Sequence, residues 1–457
     1  MSVPGKMVYT LDDVPKPFTK ALGLGIQHVL TMFGATVAVP LILAPVMGMS
    51  PQQTAVLVAS VMLCSGIATF LQTNFGTRLP IIQGVSFSFL GPFFAIIAAT
   101  AGGADTMQHI AGAIILGALV EMLVGFTGLI GKLQKYVSPV VIGPVIAMIG
   151  LALYNAGAPM AGQNWILAII VIVCAFFFSL ILGPKKPFFS LFPILLAVIV
   201  AYIVAVFMGK VDFSAIAAAP WFRLPWGEGG WILPWGMPKF DVGFFLVVLA
   251  GYLASMIESY GDYHSISAAA QAPAPTGKQI SRGIGMEGLG CFFTGLLGGF
   301  ASTSYTENIG LVGLTKVASR YVVNIAVVIL IIFGIFGKFG GAVATIPGAI
   351  VGGLYCTLFG LIASIGLSNS AKADLSSMRN LMIMGFILFM GLSLPAYFKG
   401  AEVSFEPVWL SNIVTTIGST GMAVSAILGL ILDNVIPGTA EERGITAFLN
   451  QGKSASA

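Results

Sequence analysis

The sequence predicts an all-α polytopic membrane protein with 14 transmembrane segments, arranged as two inverted repeats of seven spans. Of its 457 residues, 57% are hydrophobic and 8% are charged, with a mean hydropathy of +0.98, whereas soluble domains carry about 25% charged residues. Each span needs about 20 apolar residues, so the chain has room for roughly twelve to fourteen. Two spans, the third and the tenth, are short and broken. They lie at corresponding places in the two halves, as in transporters with internal repeats.

The first half begins with a polar segment, residues 1–18, which has no cleavable signal and is expected in the cytoplasm. Residues 78–92 form an extended, Ser- and Gly-bearing stretch that leads into a helix too short to span unaided. This is span 3, and the other spans of this half are placed at about 20–43, 53–71, 107–131, 137–155, 164–183 and 188–208. The last three hold no charge. The Trp- and Pro-rich residues 209–241 suit an extracytoplasmic loop at the membrane interface.

The second half repeats this order. Spans 8 and 9 each hold an acid, span 10 is broken, and spans 11 to 14 are nearly free of charge (about 242–261, 279–298, 302–318, 321–342, 347–367, 378–395 and 416–436). Gly143 and Gly150 in span 5 are matched, at the same spacing, by Gly353 and Gly360 in span 12. An odd number of spans per half places the two repeats in inverted orientation.

Broken span 10 carries a carboxylate and an amide next to each other, Glu307 and Asn308. Residues 302–306 favour extended backbone and residues 309–317 a short helix, so the acid is expected at a strand-to-helix break. Such breaks persist at membrane depth only where they are buried in protein or line a polar cavity. In transporters the free N–H groups of such a helix start meet the substrate. The alternative is an interfacial loop between two helices.

Ionisable side chains inside a membrane are costly, so each is a candidate for function. Glu258 ends an uncharged run in span 8, and Asp262 lies one helical turn further on the same face. A carboxyl in a cavity suits both proton exchange and pairing with the N–H and C=O groups of a planar ligand. The alternative for Glu258 is a structural ion pair with Lys316 or Arg320. Asp262 is either part of the site or a polar loop residue near the inner surface of the membrane.

Other polar residues in the spans are candidates for coupling. Glu287 follows glycines in span 9 and is either a partner of the neighbouring acids or a proton relay. Gln27 and His28 lie in the middle of span 1, where the alternative for His28 is a satisfied core histidine. For Glu121 and His109 in span 4 we favour structural roles.

Other classes of function are disfavoured. The sequence has no HExxH, GxSxG, P-loop or paired-Cys motif, which argues against an enzyme and calls for no cofactor or metal. It also lacks the repeated pore motif of a channel. The net charge of +4 is too small to indicate a nucleic-acid partner, and the four cysteines are expected to be packing residues. With fourteen spans, most basic residues fall in cytoplasmic segments, so both termini are expected in the cytoplasm. The basic residues expected in extracytoplasmic segments are Lys210, Arg223, Lys239, Lys338 and Lys399.

Four motifs, in order along residues 18–436, resemble those of the nucleobase–ascorbate transporter family, the xanthine/uracil permeases. Residues 307–316, Glu-Asn-Ile-Gly-Leu-Val-Gly-Leu-Thr-Lys, look like the family signature Gln/Glu/Pro-Asn-x-Gly-x-x-x-x-Thr-Arg/Lys/Gly. Gln27-His28 resembles its first-span pair, residues 258–262 its eighth-span acid motif, and residues 84–87 its third-span strand.

The resemblance implies a core domain (19–136 and 242–342) that moves against a gate domain (137–208 and 343–436), with the loop 209–241 between the halves and a cytoplasmic tail, 437–457. It implies a base bound between spans 3 and 10. Glu258 and Glu307 would bond the ligand, and backbone N–H groups near Phe87 and Thr306 would meet its carbonyls. The remaining residues that it implies for substrate contact and for organising the site are Ser86, Tyr305, Asn308, Gly310, Thr315 and Gln27. Proton coupling is assigned to Glu258, His28, Asp262 and Glu287.

We therefore expect a symporter in the inner or plasma membrane that imports a uracil-type pyrimidine or a xanthine-type purine, with a proton favoured over sodium as coupling cation. Glu307 is similar to the uracil-type carriers, whereas Asp262 resembles the purine and ascorbate branches. An anionic substrate beside Glu307 and Glu258 would be repelled unless one acid were protonated. The alternatives are an anion carrier or channel of the same fold, as in sulfate transporters, or a sodium-coupled ascorbate or nucleobase carrier. The large apolar gate face is compatible with a homodimer.

Overall fold

The computed structural model describes residues 6–130, 136–151, 154–227, 229–400, 411, 414, 415 and 417–446. Parts of several predicted regions lie outside these described residues: the beginning of segment 1–18, the junction 131–135, part of span 5, part of span 14 and the end of the tail 437–457. The rest of the chain is mainly helical. Seven of its helices are long and apolar enough to cross a membrane: Phe18–Val46, Pro51–Asn74, Gly103–Phe126, Trp165–Leu182, Val242–Ala269, Gly348–Ser370 and Met378–Phe398.

Among its described residues, the first half contains one strand, which follows the second helix. This strand, β1, is Gln83–Val85, and a single 3₁₀ turn, Phe87–Phe89, connects it to the next helix. The helices of this half are α1 (Phe18–Val46), α2 (Pro51–Asn74), α3 (Leu90–Ala98), α4 (Gly103–Phe126), α5 (Pro139–Leu151), α6 (Tyr154–Ala161), α7 (Trp165–Phe176, continued by a π-helical segment Phe177–Leu182), α8 (Pro187–Leu191), α9 (Pro193–Phe207) and α10 (Ser214–Ala218).

The described part of the second half also contains one strand, β2, at Ser302–Ser304. Its helices are α11 (Val242–Ala269), α12 (Gly277–Leu297), α13 (Thr306–Thr315), α14 (Arg320–Ile335), α15 (Gly337–Ala344), α16 (Gly348–Ser370), α17 (Met378–Gly400) and α18 (Gly421–Val435). Local sequence explains where several of them begin. Ser50 with Gln53 and Thr276 with Gln279 form capping boxes at the starts of α2 and α12, which satisfy backbone N–H groups that have no acceptor within the helix.

The two strands pair with each other inside the protein, although more than two hundred residues separate them. They are antiparallel and pair Gln83 with Ser304, Gly84 with Thr303, and Val85 with Ser302. All six residues are buried, and the ladder satisfies backbone groups that would be costly to leave unpaired at membrane depth. Gly84 has no room for a side chain, because a Cβ there would lie 2.5 Å from the ring of Tyr305.

The helices around the strands pack closely. At the contact between α4 and α12, a Cβ on Gly125 would lie 2.2 Å from the backbone nitrogen of Gly285, so the two backbones approach where neither carries a side chain. At the far end of α18, Asp433 is buried between Arg379 and Arg443, with N···O distances of 3.0 and 2.7 Å. Ser138 donates to the same carboxylate at 2.7 Å, which connects the beginning of α5 to the beginning of α17 and the end of α18.

The N-terminal segment pairs with the loop that follows α13. Tyr9 forms a parallel bridge with Val317, Val8 N–H donates to the Lys316 carbonyl at 2.9 Å, and Arg320 N–H donates to the Leu11 carbonyl at 3.0 Å. Asp12 also forms an ion pair with Arg320. The beginning of the chain is therefore attached to the end of the short helix that carries Glu307.

Candidate functional site

Two short helices begin at opposite ends of the strand pair. The N–H of Ser86 donates to the Ala301 carbonyl and the N–H of Tyr305 to the Ile82 carbonyl, both at 3.0 Å. After Ser86 the chain enters the 3₁₀ turn that leads to α3. After Tyr305 it enters α13. The first N–H groups of a helix have no acceptor within it, and its start carries a partial positive charge. The strand pair thus brings two sets of hydrogen-bond donors to one place in the protein.

Tyr305 joins three elements at this place. Its hydroxyl donates to the Val85 carbonyl at 2.9 Å and accepts from Thr36 of α1 at 3.1 Å. Its ring lies against Gly84, and the side chain is buried. The hydroxyl of Tyr305, predicted to lie beside a ligand, therefore already holds α1 and β1 together.

Helix α13 has one exposed face and one buried face. Thr306, Glu307 and Gly310 are exposed, whereas Asn308 and Leu311 are buried. A Cβ on Gly310 would have no neighbouring atom within 4 Å, so there is open space beside Glu307. A polar face of Thr, Glu and Gly next to open space can receive a polar ligand.

Helix α11 places its acids next to the start of α13. The hydroxyl of Thr306 lies 3.2 Å from both carboxyl oxygens of Asp262. Asp262 is buried within the helix, so the interpretation of this residue as loop polarity is wrong. Glu258, one turn earlier, is half-buried. Arg320, one suggested partner of Glu258, instead pairs with Asp12.

Glu287 of α12 is surrounded by hydroxyl groups from α11. The hydroxyl of Ser259 lies 2.7 Å from both carboxyl oxygens, and Tyr263 donates at 2.9 Å. Ser255 donates at 3.3 Å. The Ser259 hydroxyl also lies 3.2 Å from that of Ser304 in β2. The Ser304 hydroxyl also donates to Glu287 directly, at the longer distance of 3.5 Å, so Glu287 and β2 are connected both directly and through Ser259.

The sequence reasoning missed Ser259 and Tyr263. A signal for both is present, because residues 255, 259 and 263 recur at a spacing of four and lie on one face of a helix. The acids Glu258 and Asp262 have the same spacing of four and occupy the adjacent face. Glu121, for which a structural role was favoured, is wholly buried in α4, and within the described part of the chain neither of its carboxyl oxygens has a hydrogen-bond partner.

Asn308 connects α13 to α1. Its amide nitrogen donates to the His28 carbonyl at 2.9 Å and lies 3.3 Å from Nδ1 of the same residue. Both side chains are buried. Gln27, the neighbour of His28, is half-buried. Thr315, at the end of α13, donates to the Leu311 carbonyl at 2.8 Å, within its own helix.

The first strand–helix unit, residues 83–98, contacts the predicted gate domain. The half-buried ring of Phe87 packs edge-on against Phe359 of α16, with ring centroids 5.9 Å apart. Ser86, predicted to contact the substrate, is buried, and its hydroxyl accepts from the N–H of Ser88 at 3.2 Å. The N–H of Ser86 is therefore used in the strand pairing, with Ala301, and its hydroxyl caps the 3₁₀ turn.

Comparisons with known proteins agree with the motifs. A family model described as "Permease family" matches residues 19–400. The chain is 36% identical to Solute carrier family 23 member 2 of Mus musculus, over 96% of this chain and 76% of that protein. It is 33% identical to Nucleobase-ascorbate transporter 2 of Arabidopsis thaliana, over 96% of this chain and 90% of that protein.

Two solved structures share the fold. The transmembrane domain of the cyanobacterium bicarbonate transporter BicA matches with a TM-score of 0.57 at 15% identity, covering 90% of this chain and 99% of that one. Murine Slc26a9, an anion transporter in the inward-facing state, matches with a TM-score of 0.63 at 10% identity, covering 93% and 69%. At these identities the similarity concerns the fold alone.

The resemblance found in the motifs is thereby confirmed, and the several long apolar helices agree with it. The chain belongs to the permease family that contains the nucleobase–ascorbate transporters, and it is a multi-pass membrane transporter.

Proposed function

We propose that this protein imports a nucleobase, uracil-like or xanthine-like, by proton symport with alternating access. The observation that carries the proposal is the strand pair, which brings two helix starts together close to Glu258, Asp262 and Glu307. This arrangement combines backbone donors and carboxyl groups in one small region. A nucleobase is a planar ring whose edges alternate N–H and C=O groups, so it needs both kinds of partner.

In the proposed complex, Glu258 and Glu307 accept hydrogen bonds from ring N–H groups. The free N–H groups at Phe87 and Thr306 donate to ring carbonyls, since the first residues of a helix lack acceptors within it. The exposed face of α13 and the open space at Gly310 give room for the ring. A neutral ligand is favoured because the sequence between Ser302 and Thr315 contains no Lys or Arg to balance an anion.

Coupling to protons is proposed to pass through Ser259. This hydroxyl has one hydrogen to donate, and it lies within reach of both Glu287 and the β2 hydroxyls of Thr303 and Ser304. When Glu287 is charged, Ser259 must donate to it. When Glu287 carries a proton, Ser259 can accept from the acid and donate to β2 instead. Because β2 continues directly into Thr306 and Glu307, the protonation of Glu287 would change the hydrogen bonds at the substrate site.

The other residues proposed for proton coupling act closer to the ligand. Glu258 and Asp262 would exchange protons beside the base, with Thr306 as the contact between Asp262 and α13. His28 would act through Asn308, whose amide joins it to α13. In this scheme Asn308 orients the short helix, while Gln27, Gly310 and Thr315 organise its surroundings.

For the architecture we propose fourteen spans in two inverted repeats and the core and gate domains named above. Helices α5 and α16, which contain the repeated glycines, pack together: a Cβ on Gly150 would lie 2.3 Å from the Phe359 carbonyl. An apolar cavity of about 50 Å³ lies between α11 and the gate helices α5 and α18. Loose apolar packing at this boundary supports relative movement of the two domains. The exposed apolar side chains of α7, among them Ile166, Val173 and Leu180, would face lipid or a second copy of the chain.

Uptake measurements test the proposal. Radiolabelled uracil and xanthine are compared in cells that lack their own carriers, with and without a protonophore. We expect one of the two to accumulate, and accumulation to collapse with the proton gradient. Glu258→Gln should abolish accumulation without affecting membrane insertion, whereas Glu441→Gln, at an exposed position in the tail, should have no effect. Undiminished uphill uptake by Glu258→Gln would overturn the assignment.

The same cells distinguish the second candidate, because the names of the plant relatives include ascorbate as well as nucleobases. Radiolabelled ascorbate is supplied with an inward sodium gradient and no proton gradient. If the cells take up ascorbate but neither uracil nor xanthine, the nucleobase proposal is wrong and the protein is a sodium-coupled anion carrier.

A further inference from the structure

Two carboxyl groups lie on the facing surfaces of α4 and α12. A Cβ on Gly288 of α12 would lie 2.8 Å from the backbone nitrogen of Met122 and 3.0 Å from the carbonyl oxygen of Ala118. Glu121 shares a face of α4 with Ala118, because positions three apart adjoin on a helix, and Glu287 directly precedes Gly288. The two acids therefore lie at a close contact between the helix backbones, near enough for their charges to interact.

The hydrogen bonds of the two carboxyl groups differ. Glu287 accepts from the hydroxyl groups of α11 and β2 described above, and such donors stabilise a negative charge. Glu121 is wholly buried, and within the described residues neither of its carboxyl oxygens has a hydrogen-bond partner. The helices around it, α4, α11 and α12, are described over their whole length. A charged carboxylate without donors is very costly in an apolar site, so the proton of the pair is on Glu121 and the charge on Glu287.

The other titratable groups near Glu121 already have partners. Tyr252 of α11 donates to a backbone carbonyl of α4 at 2.9 Å, and Tyr263 donates to Glu287. The thiol of Cys291 in α12 donates to a backbone carbonyl of β2 at 3.4 Å. Helix α3, which also packs against α4, contains no titratable side chain. Among the described groups, Glu287 is therefore the acid with which Glu121 can exchange a proton.

Glu287 also interacts with the acids of the proposed transport site. Glu258 and Asp262, on the adjacent face of α11, are near enough for its charge to act on both. Helix α2 faces the same network with the neutral Gln72, whose amide donates to the Tyr263 hydroxyl at 2.5 Å. Glu287 thus connects Glu121 to the acids that are proposed to exchange protons beside the base.

We propose that Glu121 stores the proton that Glu287 takes up during coupling. The inference rests on the proposed function, in which protonation of Glu287 frees Ser259 to donate to β2. In this step the O–H bond of Glu121 breaks, an O–H bond forms on Glu287, and the negative charge passes to Glu121. The protonated Glu287 then donates to the charged Glu121, so the charge keeps a donor. The pair holds one proton before and after the transfer, and net proton exchange stays with the acids beside the base.

Infrared spectroscopy tests where the proton is, without substrate or gradient. The C=O stretch of protonated carboxyl groups is measured at neutral pH on the purified full-length protein in lipid nanodiscs. Glu121→Gln should lose the absorbance of one protonated carboxyl group, whereas Glu287→Gln should lose none, because Glu287 is already charged. An unchanged band in Glu121→Gln would overturn the proposal. If that variant fails to fold, loss of absorbance in Glu287→Gln would overturn it instead, because the proton would then be on Glu287.

Uptake measurements test the role of this proton in coupling. In Glu121→Gln, Glu287 must draw a proton from elsewhere, while its hydroxyl donors favour the charged form. We expect uptake at neutral external pH to fall at least about tenfold and the pH of half-maximal uptake to move lower by about one unit or more, while exchange of labelled base persists. Met122→Leu, a volume-conserving change at the same helix contact, should match the wild type in both measurements. A wild-type pH profile in Glu121→Gln would refute the coupling role.

Two outcomes separate this inference from the proposed function. Uptake by the wild type that does not depend on the proton gradient would contradict the proposed function. Proton-dependent uptake by the wild type, together with an unchanged infrared band in Glu121→Gln, would contradict the inference alone.

Discussion

The first strand–helix unit, residues 83–98, and the second, residues 302–315, have the same backbone plan and different side chains. Each begins with a three-residue strand and continues into a short helix. The first has no ionisable side chain and packs an aromatic ring on the gate helix α16. The second carries Glu307 and Asn308, and its side chains bond to α1 and α11. We infer that both units supply backbone donors, whereas the second alone supplies an ionisable side chain, Glu307.

A substitution at the contact shared by both units should have the largest effect. Gly84→Ala would place a Cβ 2.5 Å from the Tyr305 ring, and overpacking of this kind costs about 1–3 kcal/mol. We expect uptake to fall by more than tenfold and the melting temperature of the purified protein to fall. Gly310→Ala, where a Cβ meets no atom within 4 Å, is the control for stability and should melt no lower than the wild type, because Ala favours a helix interior over Gly. If Gly84→Ala takes up substrate as the wild type does, then transport does not depend on the close contact between Gly84 and Tyr305.

The second unit alone should be disturbed by Asn308→Ala. This change removes the hydrogen bond from the Asn308 amide to the buried His28 carbonyl, and a hydrogen bond of this kind contributes about 0.5–1.5 kcal/mol. Uptake is expected to fall severalfold while the protein still inserts into the membrane. Thr315→Val removes a hydroxyl that bonds within its own helix and should have a smaller effect. Equal loss in both variants would mean that the junction between α1 and α13 has no special role.

Ser259→Ala separates coupling from binding in the second unit. The variant keeps Glu258 and Glu307 but removes the hydroxyl between Glu287 and β2. Such a bond to a charged group contributes about 1.5–3 kcal/mol. We expect exchange of labelled base across the membrane to persist, while the dependence of uptake on external pH becomes weaker. Ser255→Ala, which removes the longer 3.3 Å bond, is the matched control. A pH profile identical to the wild type in Ser259→Ala would remove Ser259 from the coupling scheme.

The smallest effect is expected for Phe87→Leu in the first unit. An edge-on aromatic pair contributes about 0.5–1.5 kcal/mol beyond its buried area, and this pair joins the predicted core and gate domains. Transport should change in rate by a few fold, with the ratio of uracil to xanthine uptake unchanged. Phe33→Leu, which disturbs the edge-on pair with Phe339 at the same 5.9 Å separation, tests whether the effect is specific to this contact. A change in substrate preference would show that Phe87 contacts the base.

Much of this organisation could be predicted because apolar composition and interrupted spans are local properties of the sequence. The strand at residues 83–85 and the strand at 302–304 lie in the stretches where Gly and Ser interrupt the apolar pattern. Their pairing could not be predicted in the same way. It depends on a contact between residues far apart in the chain, and two strands of three residues carry too little pattern to fix a register.

The candidate site, too, could be predicted only in part from the sequence. Acids within apolar spans stand out because charge is costly there, so Glu258, Glu287 and Glu307 were evident from the sequence. Ser259 and Tyr263 were not, because Ser and Tyr are common in helices and become significant only through the acid that they contact. The exposed face of α13 also depends on the surrounding helices, since the same ten residues could be buried in another arrangement.

The attachment of the N-terminal segment to the loop after α13 also restricts how the chain is threaded through the bilayer. Backbone hydrogen bonds such as those from Val8 to Lys316 and from Arg320 to Leu11 cannot form across a membrane. Residues 8–13 and 316–320 therefore lie on the same side, and the chain between them crosses the bilayer an even number of times. The ion pair of Asp105 with Lys239 requires an even number of crossings between those two residues. The contacts of Asp433 require the same between Ser138 and Asp433 and between Arg379 and Asp433. Any assignment of spans with an odd count in one of these intervals is excluded.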